Sequence, residues 1–170
     1  NNNVSPPEKG IGIVAENMTS TACTLDVDSR FSNLHTGILS VGNFNVNIHD
    51  QFDSRYFRDI DDIGISINSM NYSNYIVIKD IHEFLHCNIG IKVAGYNLSS
   101  VAVFNNKFYN TGFDETSTAS FHNTAITVQN VNDIFNQNIL VYKNMITNFR
   151  YGIHLINVHH PVIGFDNDIP

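Results

Sequence analysis

The chain has 170 residues, a length that suits one domain, and 42% of them are apolar, enough for a narrow core. Only 15% are charged, with a net charge of −7 at pH 7 and a pI near 5.5, which excludes the basic stripe that nucleic-acid binding requires. No apolar run reaches the length of a membrane-spanning helix, so no membrane partner is expected.

Residues 1–9, with Pro6 and Pro7, read as a polar N-terminal extension ahead of a single domain at 10–170. That domain is a repeat. Ile11, Ile38, Ile65, Ile91, Ile126 and Ile153 each follow a very small residue, namely Gly10, Gly37, Gly64, Gly90, Ala125 and Gly152. The intervals are 27, 27, 26, 35 and 27 residues, and isoleucine fills only 21 of the 170 positions, so one structural unit is stacked on copies of itself. Two positions on stand Ile13, Ser40, Ile67, Val93, Val128 and Leu155, apolar in five of six units. Between the two columns lie Gly12, Leu39, Ser66, Lys92, Thr127 and His154, mostly polar or tolerant. This alternation with period two marks a strand with one buried and one wet face.

Later in the units come Val77-Ile78-Lys79-Asp80, Val103-Phe104-Asn105-Asn106 and Val141-Tyr142-Lys143-Asn144. These are β-rich runs that end near Asn or Asp, which tolerate the left-handed turn conformation. Helical periodicity is absent and Asn occurs 25 times. An all-β chain follows, with two or three short strands per unit. Such units cannot bury a core singly, so equivalent strands stack in parallel about 4.8 Å apart. A β-sandwich with coincidental spacing is the alternative.

Cys23 and Cys87 fall at different phases of the repeat, which argues for two buried free thiols rather than a disulfide. Three N-glycosylation sequons, at Asn17, Asn71 and Asn97, are expected by chance in so Asn-rich a chain. The sixth unit stops at Ile169-Pro170, seventeen residues past its isoleucine; its open strand edges suggest a piece of a longer protein, or ends covered by partner chains.

The register also predicts neighbours on the outer face. Adding 27 to Asp53, Arg55 and Tyr56 gives Asp80, His82 and Glu83, which makes Asp53, Asp80, Glu83, Arg55 and His82 the candidate catalytic group, with Tyr56 beside them. Arg58, Asp59, Asp61 and Asp62 extend the patch, and His86 falls one unit on from Asp59. Paired acids supply the general acid and base of glycoside hydrolysis, while a basic group near a sugar carboxylate serves β-elimination. The competing reading is a solvated face of weak ion pairs. The long fourth interval places an inserted loop around residues 112–120. There Phe113, Asp114 and Glu115, with Tyr109, Arg150 and Tyr151 nearby, are candidate substrate-binding residues. His154, His159 and His160 lack ligand spacing and no metal site is assigned; Asp59, Asp61 and Asp62 are the one set suited to Ca²⁺.

The Gly-Ile-x-(Ile/Val/Leu) starts and the turns Asn106-Lys107-Phe108 and Asn144-Met145-Ile146 resemble the pectate-lyase-like superfamily over nearly the whole chain. The resemblance implies a right-handed parallel β-helix (a β-solenoid) of about six coils of 26–27 residues, one of them carrying the inserted loop. It also implies an extracellular protein that engages polysaccharide. Within it, the Asn- and Ile-rich, Cys-poor, uncapped chain looks most like a bacteriophage tailspike depolymerase segment, homotrimeric and part of a virion tail or fibre. A non-catalytic shaft or adhesin segment, and a secreted polysaccharide lyase or hydrolase, are the alternatives. Calcium is used by some lyases of the fold. The Asn-x-Asp partner that polygalacturonases place before an Asp-Asp pair is missing ahead of Asp61-Asp62, so no catalytic role is carried over.

Overall fold

The computed structural model describes residues 9–50, 55–70, 74–95, 98, 100–110, 124–129, 138–158 and 161–164. Among them there are fifteen strands, no helix, and only parallel pairings, as the sequence predicts. One sheet of six strands runs β15 (Pro161–Ile163), β12 (Asn138–Tyr142), β9 (Ser100–Phe104), β6 (Tyr75–Lys79), β4 (Phe44–His49) and β2 (Cys23–Val27). The other has nine strands and is bent. β3 (Phe31–Gly42) and β5 (Tyr56–Ser69) each cross the bend, and the register shifts between Leu34 and Thr36. On one side of the bend β5 pairs with β7 (Glu83–Leu85), followed by β10 (Lys107–Tyr109) and β13 (Met145–Thr147). On the other, β1 (Ile11–Asn17), β3, β5, β8 (Ile89–Gly95), β11 (Thr124–Gln129) and β14 (Tyr151–Ile156) follow in order. The parallel sheets nearly close on one another around a single core.

The isoleucine column is real in five of its six members. Ile38, Ile65, Ile91 and Ile126 pair in sequence with Ile153, but the first partner of Ile38 is Ile13, while Ile11 pairs with Thr36 and is exposed. The first interval is therefore two residues shorter than the sequence reading assigns. The same shift brings Gly12 into line with Gly37, Gly64, Gly90, Ala125 and Gly152.

The reason for small residues there lies across the bend. Phe31, Phe57, Phe84 and Phe108 stack ring on ring with centroids 4.9, 4.9 and 4.6 Å apart. A Cβ on Gly37 would sit 2.5 Å from the Gly64 carbonyl oxygen and 2.7 Å from Phe57 Cδ1; one on Gly90 would sit 2.6 Å from Phe108 Cε1. Where the unit carries Ala125, the residue paired with Phe108 is the slimmer Ile146.

At the turns, Asn33, Asp59, His86 and Asn148 take positive φ in one column, and Asp80, Asn105 and Lys143 in another. Beside the latter, Asn106 and Asn144 are fully buried. The Asn144 amide donates to the carbonyls of Val103 and Tyr142, and its oxygen accepts from Asn106 N and Nδ2 at 3.1 and 3.0 Å. This asparagine stack satisfies backbone groups that the turn removes from the ladders. Neither cysteine is in a disulfide, but only Cys87 is buried, its thiol pushed up to about 12 by burial; Cys23 is exposed, because it lies on β2 at the edge of its sheet. The Asn17 sequon is structural, since its buried amide donates to Thr21 O and Asn43 O. Asn71 and Asn97 lie outside the described residues, as do residues 1–8 of the extension.

Gly37→Val is expected to destabilise the fold by about 2 kcal/mol or more through overpacking against Phe57. Ser32→Val, on an exposed outward position of β3, is expected to stay within about 0.5 kcal/mol, both read from denaturant midpoints.

Candidate functional site

Because Phe57, Phe84 and Phe108 point inward, their flanking residues point out. The outer face of the short ladder β5–β7–β10 therefore carries Tyr56 and Arg58, then Glu83 and Leu85, then Lys107 and Tyr109. Tyr56 pairs with Glu83 as the register predicts. The Arg58 guanidinium donates to Glu83 at 2.6 Å and lies 4.8 Å from the Tyr56 ring centroid; Arg30 approaches the same ring at 5.8 Å. Arg55 grips Asp28, twenty-seven residues back, through Nε and through Nη2 at 2.9 Å. Two of the four arginines in this acidic chain thus approach one tyrosine ring. The charge-assisted hydrogen bond that Arg58 donates to Glu83 raises the Arg58 pKa further, and the bond accepted from Arg55 holds the Asp28 carboxyl below its usual range.

At the edge of this face Asp59 Oδ1 and His86 Nδ1 are 2.8 Å apart, one repeat from each other, as expected. Asp61 turns away to Lys9 at 2.6 Å and Asp62 faces His35 at 3.9 Å. The three aspartates suggested for Ca²⁺ therefore have three separate partners, and no group of three or more His, Cys, Asp or Glu among the described residues is placed to hold a metal. Asp80 sits at a left-handed turn, accepts from Asn105 Nδ2 at 2.6 Å and lies 3.6 Å from Lys79, so it serves the turn rather than the Tyr56 cluster. His82 is half-buried in the stretch leading into β7. Tyr109 stays on the same outer face, its hydroxyl 3.9 Å from Met145 Sδ. Arg150 lies 5.5 Å from the Tyr151 ring, which stacks on His154 at 5.6 Å near the far end of the neighbouring ladder. Asp53, Phe113, Asp114, Glu115, His159 and His160 lie outside the described residues.

One feature escapes the residue patterns that mark chemistry. The outer face of the ladder β3–β5–β8–β11 holds a shallow groove of about 300 Å³ lined by Leu39, Val41, Ser66, Asn68, Lys92 and Gln129, with Ala94 and Gly95 as its small members. Its signal was present as the polar, tolerant column between the two apolar ones, which alone reads as an ordinary wet face. No family model, curated protein or solved structure matches the chain.

The Asp28 shift has a testable sign. A carboxyl whose folded pKa is depressed contributes stability that is present above its unfolded value of about 3.9 and is lost as pH falls through the folded one. Melting curves should show the chain losing more stability than its Asp28→Asn variant as pH falls from about 4 to about 2.

Proposed function

We propose that the chain is a section of a right-handed parallel β-helix whose outer face engages a polysaccharide, as part of an extracellular, homotrimeric tail fibre or tailspike that binds and cleaves a bacterial capsule or O-antigen. The observation that carries this reading is the row of outward polar side chains that runs from strand to strand on each side of the bend, in the arginine–tyrosine–carboxylate face and in the groove. Each presents hydrogen-bonding side chains at the spacing of stacked strands along a line, which suits an extended, hydroxyl-rich polymer better than a compact ligand.

For cleavage, the roles divide by partner. In hydrolysis Glu83, held by Arg58, takes a proton from the water that bonds to the anomeric carbon, and His86, beside Asp59, gives a proton to the glycosidic oxygen as its bond to that carbon breaks. A second reading, a non-catalytic shaft, is favoured by the ion pairs Asp28–Arg55, Arg58–Glu83 and Asp59–His86. All three stitch one repeat to the next at separations of 27, 25 and 27 residues.

The two readings part on incubation with a panel of capsular and O-antigen polysaccharides, scoring new reducing ends and the absorbance of unsaturated sugars. Cleavage that falls by about a hundredfold in Glu83→Gln and in His86→Asn, with melting temperature retained, supports the enzyme. Asparagine suits position 86 because it tolerates the positive φ found there. Binding without any cleavage by the unaltered chain leaves the shaft or a pure binding module.

A further inference from the structure

The groove on the outer face of β3, β5, β8 and β11 carries a single charge, and that charge is uncompensated: Lys92 makes no ion pair with any described residue. One strand before it in the ladder stands Ser66, with Leu39 a further strand back; Thr127, one strand after it, is buried and takes no part in the groove's lining. The parallel column two residues on is Val41, Asn68, Ala94 and Gln129. Across four strands the floor therefore offers apolar side chains at one end, two amides and the Ser66 hydroxyl along the middle, and one ammonium. Ser66, Asn68 and Gln129 make no side-chain hydrogen bond to other described residues, so their donors and acceptors are open to a ligand.

From this pattern we propose that the groove selects a sparsely acidic heteropolysaccharide, with one carboxylate or comparable acidic substituent set against Lys92 and neutral sugars over the strands before it, and rejects a polyuronate. The inference rests on the polysaccharide reading given above and sharpens it. A sugar ring is about as long as the spacing between strands of about 4.8 Å. A polymer lying along the ladder thus places roughly one ring over each strand. A polyuronate would then set a carboxylate over Leu39 and over Ser66 as well as over Lys92, with no cation to meet two of the three. The surrounding chain, at net −7, repels each surplus charge. With one acid group per three or so rings, the same segment meets one lysine, while Asn68 and Gln129 offer the paired donor and acceptor geometry that vicinal hydroxyls take. Leu39 and Val41 cover the apolar face of the ring at the end.

The test is titration calorimetry of the whole chain against three polymers at two salt concentrations: a heteropolysaccharide with one uronic acid in every three or four sugars, polygalacturonate, and neutral dextran. Lys92→Gln, Lys92→Arg and a groove-filling Ala94→Phe are measured beside the unaltered chain, each first shown to melt normally. The proposal expects the heteropolysaccharide to bind best, Lys92→Gln to weaken it about tenfold and flatten its salt dependence, Lys92→Arg to retain it, and Ala94→Phe to abolish it. Preference for polygalacturonate overturns the selectivity. Binding of the heteropolysaccharide unchanged by Lys92→Gln and Ala94→Phe overturns the groove while leaving polysaccharide engagement in place elsewhere. Binding of none of the three, nor of any member of the capsule and O-antigen panel, sinks the polysaccharide reading itself and this inference with it.

Discussion

A side chain as small as a methyl group at Gly37, Gly64 or Gly90 would drive into the backbone of the next strand and into a phenylalanine ring. The missing Cβ atoms let the bend of the large sheet close tightly enough for Phe31, Phe57, Phe84 and Phe108 to form one continuous stack. That stack and the isoleucine column beside it fix the register. A one-residue slip would turn the apolar set outward and push Tyr56, Arg58 and Glu83 into the core. The outer face therefore inherits its geometry from the glycines.

In-register parallel stacking sets each residue beside its counterpart in the next repeat, so like charges in one column would meet at close range. The chain avoids this by alternation. Asp28 faces Arg55, Asp59 faces His86, and the column through Tyr56 passes from Arg30 through the tyrosine to Glu83. Exposed pairs of this kind add little stability singly. Their effect is on alignment, since only one register satisfies them all.

The period, the all-β character and the inward columns were legible because burial imposes a two-residue alternation that isoleucine and valine record faithfully. The first repeat was misaligned because two candidate isoleucines, Ile11 and Ile13, both follow glycine, and only the phenylalanine that must fit against Gly12 decides between them. Left-handed turns at Asn33, Asp59, His86 and Asn105 follow from residue type, whereas that at Lys143 is held by the ladder against the residue's own preference. Fixed offsets found the neighbours of Tyr56 and of Asp59. They could not show that Arg55 would turn back to Asp28, because both directions along a stack are one repeat away. The groove at Lys92 depends on the absence of bulk at Ala94 and Gly95, which alternation does not encode.

Among the described strands, every substantial contact joins a repeat to the one directly before or after it. Stability in such a chain is a sum of neighbour terms, as in a zipper. A fault in a middle strand separates the two flanks, whereas the same fault at an outer strand trims only its own end. Under tension the molecule would yield one repeat at a time, each releasing a similar length of chain, so that its resistance to force is set by the weakest neighbouring pair and not by the size of the whole.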